Sequence, residues 1–181
     1  MRKLLIVVDM QNDFVTGALR NEEAIIMVPN AVQKIRAAKE AGTELIFTRD
    51  THFEDYMETE EGKNLPVPHC LKGTEGWEII DALKEFAEDA KIFDKVTFGA
   101  RELGAYLAQE NEREKIDEVE LIGICTDICV ISNALLVKAF LPNTPIRVDA
   151  ACCAGVTPQS HQTALNAMKA CQIAVTEPEE A

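Results

Sequence analysis

Short apolar runs alternate along this chain with longer amphipathic segments. Lys3–Val8 (KLLIVV) is apolar at nearly every position, the pattern of a strand covered on both faces in a parallel sheet. Pro29 marks a helix start, Ala31–Ala41 is rich in Ala and Lys, and Gly42 stops it. Leu45–Thr48 reads as a second strand. Trp77, Ile80, Leu83, Lys84 and Ala87 form the stripe of a helix over Trp77–Ala87. A weaker strand at Lys91–Val96, a helix at Arg101–Asn111, a strand at Glu118–Ile124 and a helix at Asp127–Phe140 follow. Ile146–Val148, Pro158–Lys169 and Cys171–Val175 complete the series as strand, helix and strand. This alternation predicts a single-domain α/β fold, a doubly wound, mostly parallel sheet of about six strands with helices on both faces. No repeat or linker divides residues 1–181, and the acidic tail 176–181 is expected to fray.

In an open α/β sheet, ligands bind beyond the carboxyl ends of the strands. That rule singles out Asp9, Asp50 and His52, Lys95, Ile124–Cys129 and Asp149. Between the second strand and Trp77 lie more than twenty residues without clear periodicity, holding His52 and His69, two of the three histidines. Loops of that length inside compact domains are usually functional.

Composition removes several function classes. Eighteen Lys and Arg against 31 Asp and Glu give a net charge of −13, which repels nucleic-acid backbones and anionic lipid. The apolar run Leu4–Val8 is too short to span a membrane, and Asp9 interrupts it before any signal-peptide core forms, so the expected compartment is the cytoplasm. Six cysteines with no zinc-ribbon spacing read as reduced thiols, most of them small buried hydrophobes. No phosphate-binding glycine motif or serine-nucleophile elbow is present.

The candidate chemistry has competing explanations position by position. Cys129 follows a strand and opens a helix, with Thr126 or Asp127 as N-cap. There the helix dipole and free N–H groups stabilise a thiolate and an oxyanion; alternatively Cys129 is an apolar filler at a strand–helix junction. Asp9 is either a cap on the loop Gln11-Asn12-Asp13 or the base that takes a thiol proton. Lys95 is a solvated surface lysine or a partner for both. Asp50-Thr51-His52, His69 and the run Glu58, Glu60, Glu61 either bind Zn, Fe or Mn or form an ordinary polar loop. His161 reads as a surface residue at a helix start.

Val7-Val8-Asp9-Met10-Gln11-Asn12-Asp13-Phe14 resembles the D-x-Q-x-D-F opening of the isochorismatase-like cysteine hydrolases. Gly123-Ile124-Cys125-Thr126-Asp127-Ile128-Cys129-Val130 is similar to their G-x-x-T-D-x-C-V nucleophile segment. Asp50-Thr51-His52 and His69-Cys70-Leu71-Lys72-Gly73-Thr74 resemble the metal loop of the nicotinamidase branch. The resemblance implies an Asp9–Lys95–Cys129 triad, an oxyanion hole from the backbone N–H groups of Cys125 and Cys129, and a cis Ile124–Cys125 peptide. It implies a divalent metal, Zn first and Fe or Mn otherwise, on Asp50, His52, His69 and Glu61, with Glu60 or Glu58 as substitutes for Glu61. A tryptophan common before the last histidine is replaced by Pro66-Val67-Pro68, which leaves Phe14 and Phe98 to stack on a ring. The activity implied is hydrolysis of nicotinamide in NAD salvage, or of another small amide, carbamoyl compound or ureide, by a homo-oligomer with a small-molecule substrate and no nucleic-acid or membrane partner.

Overall fold

Leu4, Leu5, Ile6, Val7 and Val8 are each at most 1% exposed, so the first strand needs cover on both faces and a partner on both edges. The computed structural model describes residues 1–177 and supplies both. Its elements in chain order are β1 (Lys3–Val8), α1 (Asn12–Val15), α2 (Glu22–Glu40), β2 (Glu44–Asp50), α3 (Glu60–Asn64), α4 (Asp81–Ala87) and β3 (Lys91–Lys95). Then follow α5 (Arg101–Arg113), β4 (Glu118–Ile124), α6 (Ile131–Phe140), β5 (Ile146–Ala154), α7 (Pro158–Ala170) and β6 (Ala174–Thr176). The strands form one sheet of order β3-β2-β1-β4-β5-β6, parallel throughout. The α/β architecture expected from the alternation is the one observed. Helix α2, with α4 beside it, packs on β2, β4 and β5, while α5, α6 and α7 pack on one another and on β3, β5 and β6. No helix among the described residues is long and apolar enough to cross a membrane.

Successive strands are added on one side of β1 up to β3 and on its other side from β4 onward, which makes the β1–β4 boundary the switch point where doubly wound folds bind ligands. Gly123 lets those two strands approach. Its φ is +123°, and a Cβ there would lie 2.1 Å from the Val8 carbonyl oxygen, a fit open to glycine alone.

Several boundaries differ from the pattern-based reading. Helix α2 starts at Glu22, where the Asn21 side chain accepts from the N–H groups of Glu23 and Ala24, and Pro29 sits inside it. The buried stripe Ala24, Met27, Ala31 and Ile35 offsets the roughly 3 kcal/mol that an interior proline costs. Trp77 belongs to a 3-10 turn ahead of α4, not to the helix itself. β5 runs on through small residues to Ala154, because its end pairs again with Gly123 and Ile124 after a register shift. Asp149 therefore lies mid-strand, bound to Lys34 Nζ at 2.9 Å, and is not at the ligand edge. At the expected frayed tail, Thr176 pairs with Asp149 in β6 and Glu177 with Lys169; residues 178–181 lie outside the described part.

Candidate active site

Each strand on the β3–β4 half of the sheet delivers one polar group to the same point. β1 leads into Asp9, which turns the chain at a φ of +50°, a left-handed conformation uncommon for non-glycine residues. β2 ends in Asp50 and β3 in Lys95, while Cys129 comes from the turn after β4. Lys95 is 1% exposed, in place of the solvated lysine its local sequence allows. Its Nζ lies 2.7 Å from Asp9 Oδ2, 3.1 Å from Asp50 Oδ1 and 3.4 Å from Cys129 Sγ. Thr48 Oγ1 donates to Asp9 Oδ1 at 2.6 Å. Asp9 Oδ2 is the only buried side-chain oxygen or nitrogen among the described residues that accepts no well-directed hydrogen bond, and the Cys129 thiol lies within its reach. That atom is where a proton from the thiol would land.

The electrostatics follow from burial. Burial would push Lys95 down, but the charges of Asp9, Cys129 and Asp50 hold it well above its ordinary value. Burial raises the Asp9 carboxyl against the pull of Lys95, which makes it a better base. Burial likewise pushes the Cys129 thiol well above its ordinary value, and Lys95 only partly opposes this. The thiolate expected from a capped helix start is therefore not the resting state. Neither Thr126 nor Asp127 caps a helix there: Cys125 leads into a π-helical turn, Thr126–Val130, that precedes α6. π-Turns of this kind recur at functional sites. The Ile124–Cys125 peptide is cis, at the position the family resemblance implies.

A second group adjoins the first through Asp50. Ligand atoms of Asp50, His52, Glu61 and His69 all lie within 4.8 Å of one another. His52 Nε2 is 2.9 Å from Asp50 Oδ2 and 3.6 Å from Glu61 Oε1; His69 Nε2 is 3.4 Å and 3.8 Å from the same two atoms. Burial would raise Asp50, but His52, His69 and Lys95 hold it far below the usual carboxylate range. A carbonyl can only accept, so the 2.8 Å contact from His69 Nδ1 to the Val67 oxygen places the proton on Nδ1 and turns the Nε2 lone pair toward the cluster. Two imidazoles and two carboxylates that converge, with His69 oriented from behind, fit a borderline divalent cation. Of the three glutamates considered from sequence, Glu61 is the one in the cluster; Glu60 Oε1 faces Asn64.

Cys129, Cys125 and the four cluster residues open into one cleft of about 1390 Å³. Phe14 lines it and sets its ring edge against His69 at 5.5 Å; Phe98 lines the same cleft at an exposed position.

The sequence profile of the isochorismatase domain matches residues 3–180. The chain belongs to the isochorismatase domain family. Among members of that family, it is 28% identical over 142 residues to a nicotinamidase/pyrazinamidase of Mycobacterium tuberculosis, covering 73% of this chain and 76% of the relative. A solved pyrazinamidase of Pyrococcus horikoshii in complex with zinc is 30% identical, with a TM-score of 0.83 over 98% of this chain and 100% of its own. A solved nicotinamidase/pyrazinamidase of Bacillus subtilis is 29% identical, with a TM-score of 0.84 over the same shares.

Four residues of this isochorismatase-family site carry roles that sequence patterns did not reveal. The Gln11 side chain accepts from Asp50 N at 2.7 Å and donates to the Asp50 and Trp77 carbonyls at 2.8 Å each. It acts as an extra peptide group that continues the β1–β2 ladder past the turn at Asp9. Asp13 accepts from Cys70 N at 2.7 Å, holding the residue beside His69. Asn133 donates to the carbonyls of Cys129 and Phe98 and accepts from Ala100 N. His161, expected on the surface, is half-buried, its Nδ1 2.7 Å from Thr126 Oγ1. Gln11 and Asp13 lie inside a quoted motif, which was the available signal; Asn133 and His161 had none.

Proposed function

We propose that this isochorismatase-family amidohydrolase converts nicotinamide and water to nicotinate and ammonia through a thioester on Cys129, with zinc at Asp50, His52, Glu61 and His69. One observation carries the reading: the buried nucleophile and the metal-ligand cluster share a cleft and are bridged by Lys95, which touches Asp9, Asp50 and Cys129 together. A substrate with its amide at Cys129 and a ring donor atom at the cluster uses both halves. A ring-free amide would leave the cluster without a role.

Asp9 takes the thiol proton as Cys129 Sγ bonds to the carboxamide carbon. The oxyanion is received by the N–H groups of Cys125 and Cys129, and Lys95 keeps the added negative charge neutralised. Asp9 passes the proton to the amide nitrogen, the C–N bond breaks and ammonia leaves the thioester. Asp9 then deprotonates the attacking water, the C–S bond breaks, and the thiol recovers its proton. A zinc ion held by Asp50, His52, Glu61 and His69 would supply a Lewis-acidic contact for a pyridine nitrogen. Phe14 and Phe98 supply apolar surface for the ring, in place of the absent tryptophan.

Ammonia release from nicotinamide by metal-loaded protein, chelator-stripped protein and Cys129→Ala tests the reading. Turnover confined to the loaded wild type is the expected result. No ammonia from nicotinamide with the metal bound would overturn the substrate, and unchanged turnover after stripping would overturn the metal's role.

A further inference from the structure

The π-turn that presents Cys125 and Cys129 is anchored at its N-terminal side by few polar contacts. Cys125 O accepts from the N–H groups of Ile128 and Val130 at 3.1 and 3.0 Å, which closes the turn on itself. Thr126 is fully buried, and its hydroxyl has one hydrogen-bond partner, His161 Nδ1 at 2.7 Å. His161 sits on the first turn of α7, its own N–H donating to Thr157 O at 2.9 Å. Thr157 caps that helix. Behind it, Gly155 lies so close that a Cβ there would stand 2.8 Å from His161 Cβ. Asn21, which caps α2, also donates to the Gly155 carbonyl at 2.8 Å. The backbone of His161 is thus fixed at the start of α7 and packed on Gly155, which Asn21 ties to the start of α2, and the ring carries that position to the turn through Thr126.

Resting on the amidase reading above, we propose that His161 is a positioning residue: as a neutral imidazole it accepts from Thr126 and fixes the turn bearing the oxyanion N–H groups, and protonation releases it. With the neutral ring's proton on Nε2, Nδ1 accepts from the threonine hydroxyl; the imidazolium can only donate to Oγ1, which leaves the buried hydroxyl proton with no acceptor among the bonds described and so weakens the contact.

The charged groups facing the ring oppose each other in effect. Burial lowers His161, while Asp127 on the turn and Glu23 on the first turn of α2 raise it, and burial prevails. The partial positive charge at the start of α7 acts in the same direction as burial. Asp127 is itself engaged by Val156 N at 3.1 Å. The ring is therefore neutral at pH 7, and protonation lies below the ordinary histidine value. Because the folded protein holds His161 low, the stability it contributes is complete above about pH 6.5 and is lost as pH falls through the folded value.

Two measurements test this. In the first, the imidazole titration of His161 is followed by NMR in the wild type, Thr126→Val and Thr126→Ser. Removing the donor to the neutral ring should raise the His161 pKa by about half to one pH unit, the scale of one neutral hydrogen bond, and Thr126→Ser should leave it in place. Equal titration in all three would overturn the proposal. In the second, kcat is measured against pH. His161→Leu should lose about five- to tenfold at neutral pH with KM little changed. His161→Asn, which keeps an acceptor near the Nδ1 position but cannot titrate, should recover most of that loss and lack the acid limb assigned to His161. A His161→Asn profile superimposable on the wild type would overturn the switch. The NMR measurement needs no substrate, so the two failures are distinguishable: absent ammonia release with the expected titration shift would refute the amidase reading and leave the His161–Thr126 contact standing, whereas equal titration with ammonia released would refute the contact alone.

Discussion

Replacing Gln11 by methionine, which matches its length and removes its polar atoms, is the sharpest perturbation of the ligand cluster that leaves every candidate ligand in place. The substitution orphans three backbone groups: the N–H and carbonyl of Asp50 and the carbonyl of Trp77, all bonded to Gln11 at 2.7 to 2.8 Å. A buried polar group left unpaired costs about 1–3 kcal/mol, and carbonyls, with a second lone pair, lie toward the low end. The expected loss is about 3–4 kcal/mol, a large part of the roughly 5–15 kcal/mol that holds a domain folded. Urea unfolding of the metal-free protein should show it as a lower midpoint at unchanged slope. Because the same bonds aim Asp50, zinc affinity by chelator competition should fall about 10- to 100-fold, as for other groups that orient a ligand. Gln11→Glu keeps one acceptor but sets a carboxylate against two carbonyls, so its defect should shrink as pH falls and it becomes a donor. A stability loss under about 1 kcal/mol together with unchanged zinc affinity would refute the assignment of Gln11 as the support of Asp50.

Asp9→Asn should lower kcat by about 10²- to 10⁴-fold with little change in KM, the range for a lost general base; steady-state kinetics decide it, and a loss confined to KM would move Asp9 to substrate binding. Gly123→Ala should destabilise by more than about 3 kcal/mol, since both φ and the Val8 backbone resist a Cβ; a melting point within a few degrees of wild type would contradict this. Burial pushes the Cys125 and Cys152 thiols up to about 12 and Cys129 well above its ordinary value, so at pH 8 the exposed Cys171 should react first with a disulfide reagent. The fast phase should vanish in Cys171→Ser, whereas its survival there and loss in Cys129→Ala would reveal a resting thiolate.

Most of the sheet was legible because parallel strands buried on both faces leave continuous apolar runs, as Leu4–Val8 and Leu121–Ile124 do. The β5 extension was not, since Ala150–Ala154 is made of small residues whose strand character comes from pairing with β4. Pro29 misplaced a helix start because burial of the Ala24–Ile35 face outweighs a local breaker. At the site, Asp9 and Cys129 stand out as polar groups beside apolar runs. Lys95 does not, because Lys91–Lys95 alone gives no sign that three other strands converge on its end. Contacts between residues distant in sequence, such as Thr126 with His161 and the Gln11 side chain with the Asp50 backbone, depend on topology and leave no trace in local pattern.

The central place of β1 bears on how the chain reaches its native state. β1 is synthesised well before one of its two neighbours: it is flanked by β2 and by β4, and β4 begins only at Glu118. Pairings that distant in sequence close slowly, and until then one edge of a wholly apolar strand lies open to other chains. Slowing or deleting β4 should therefore lower soluble yield during synthesis. A chain cut after α5 would keep Asp9, Asp50 and Lys95, lack Cys129, and expose that edge permanently.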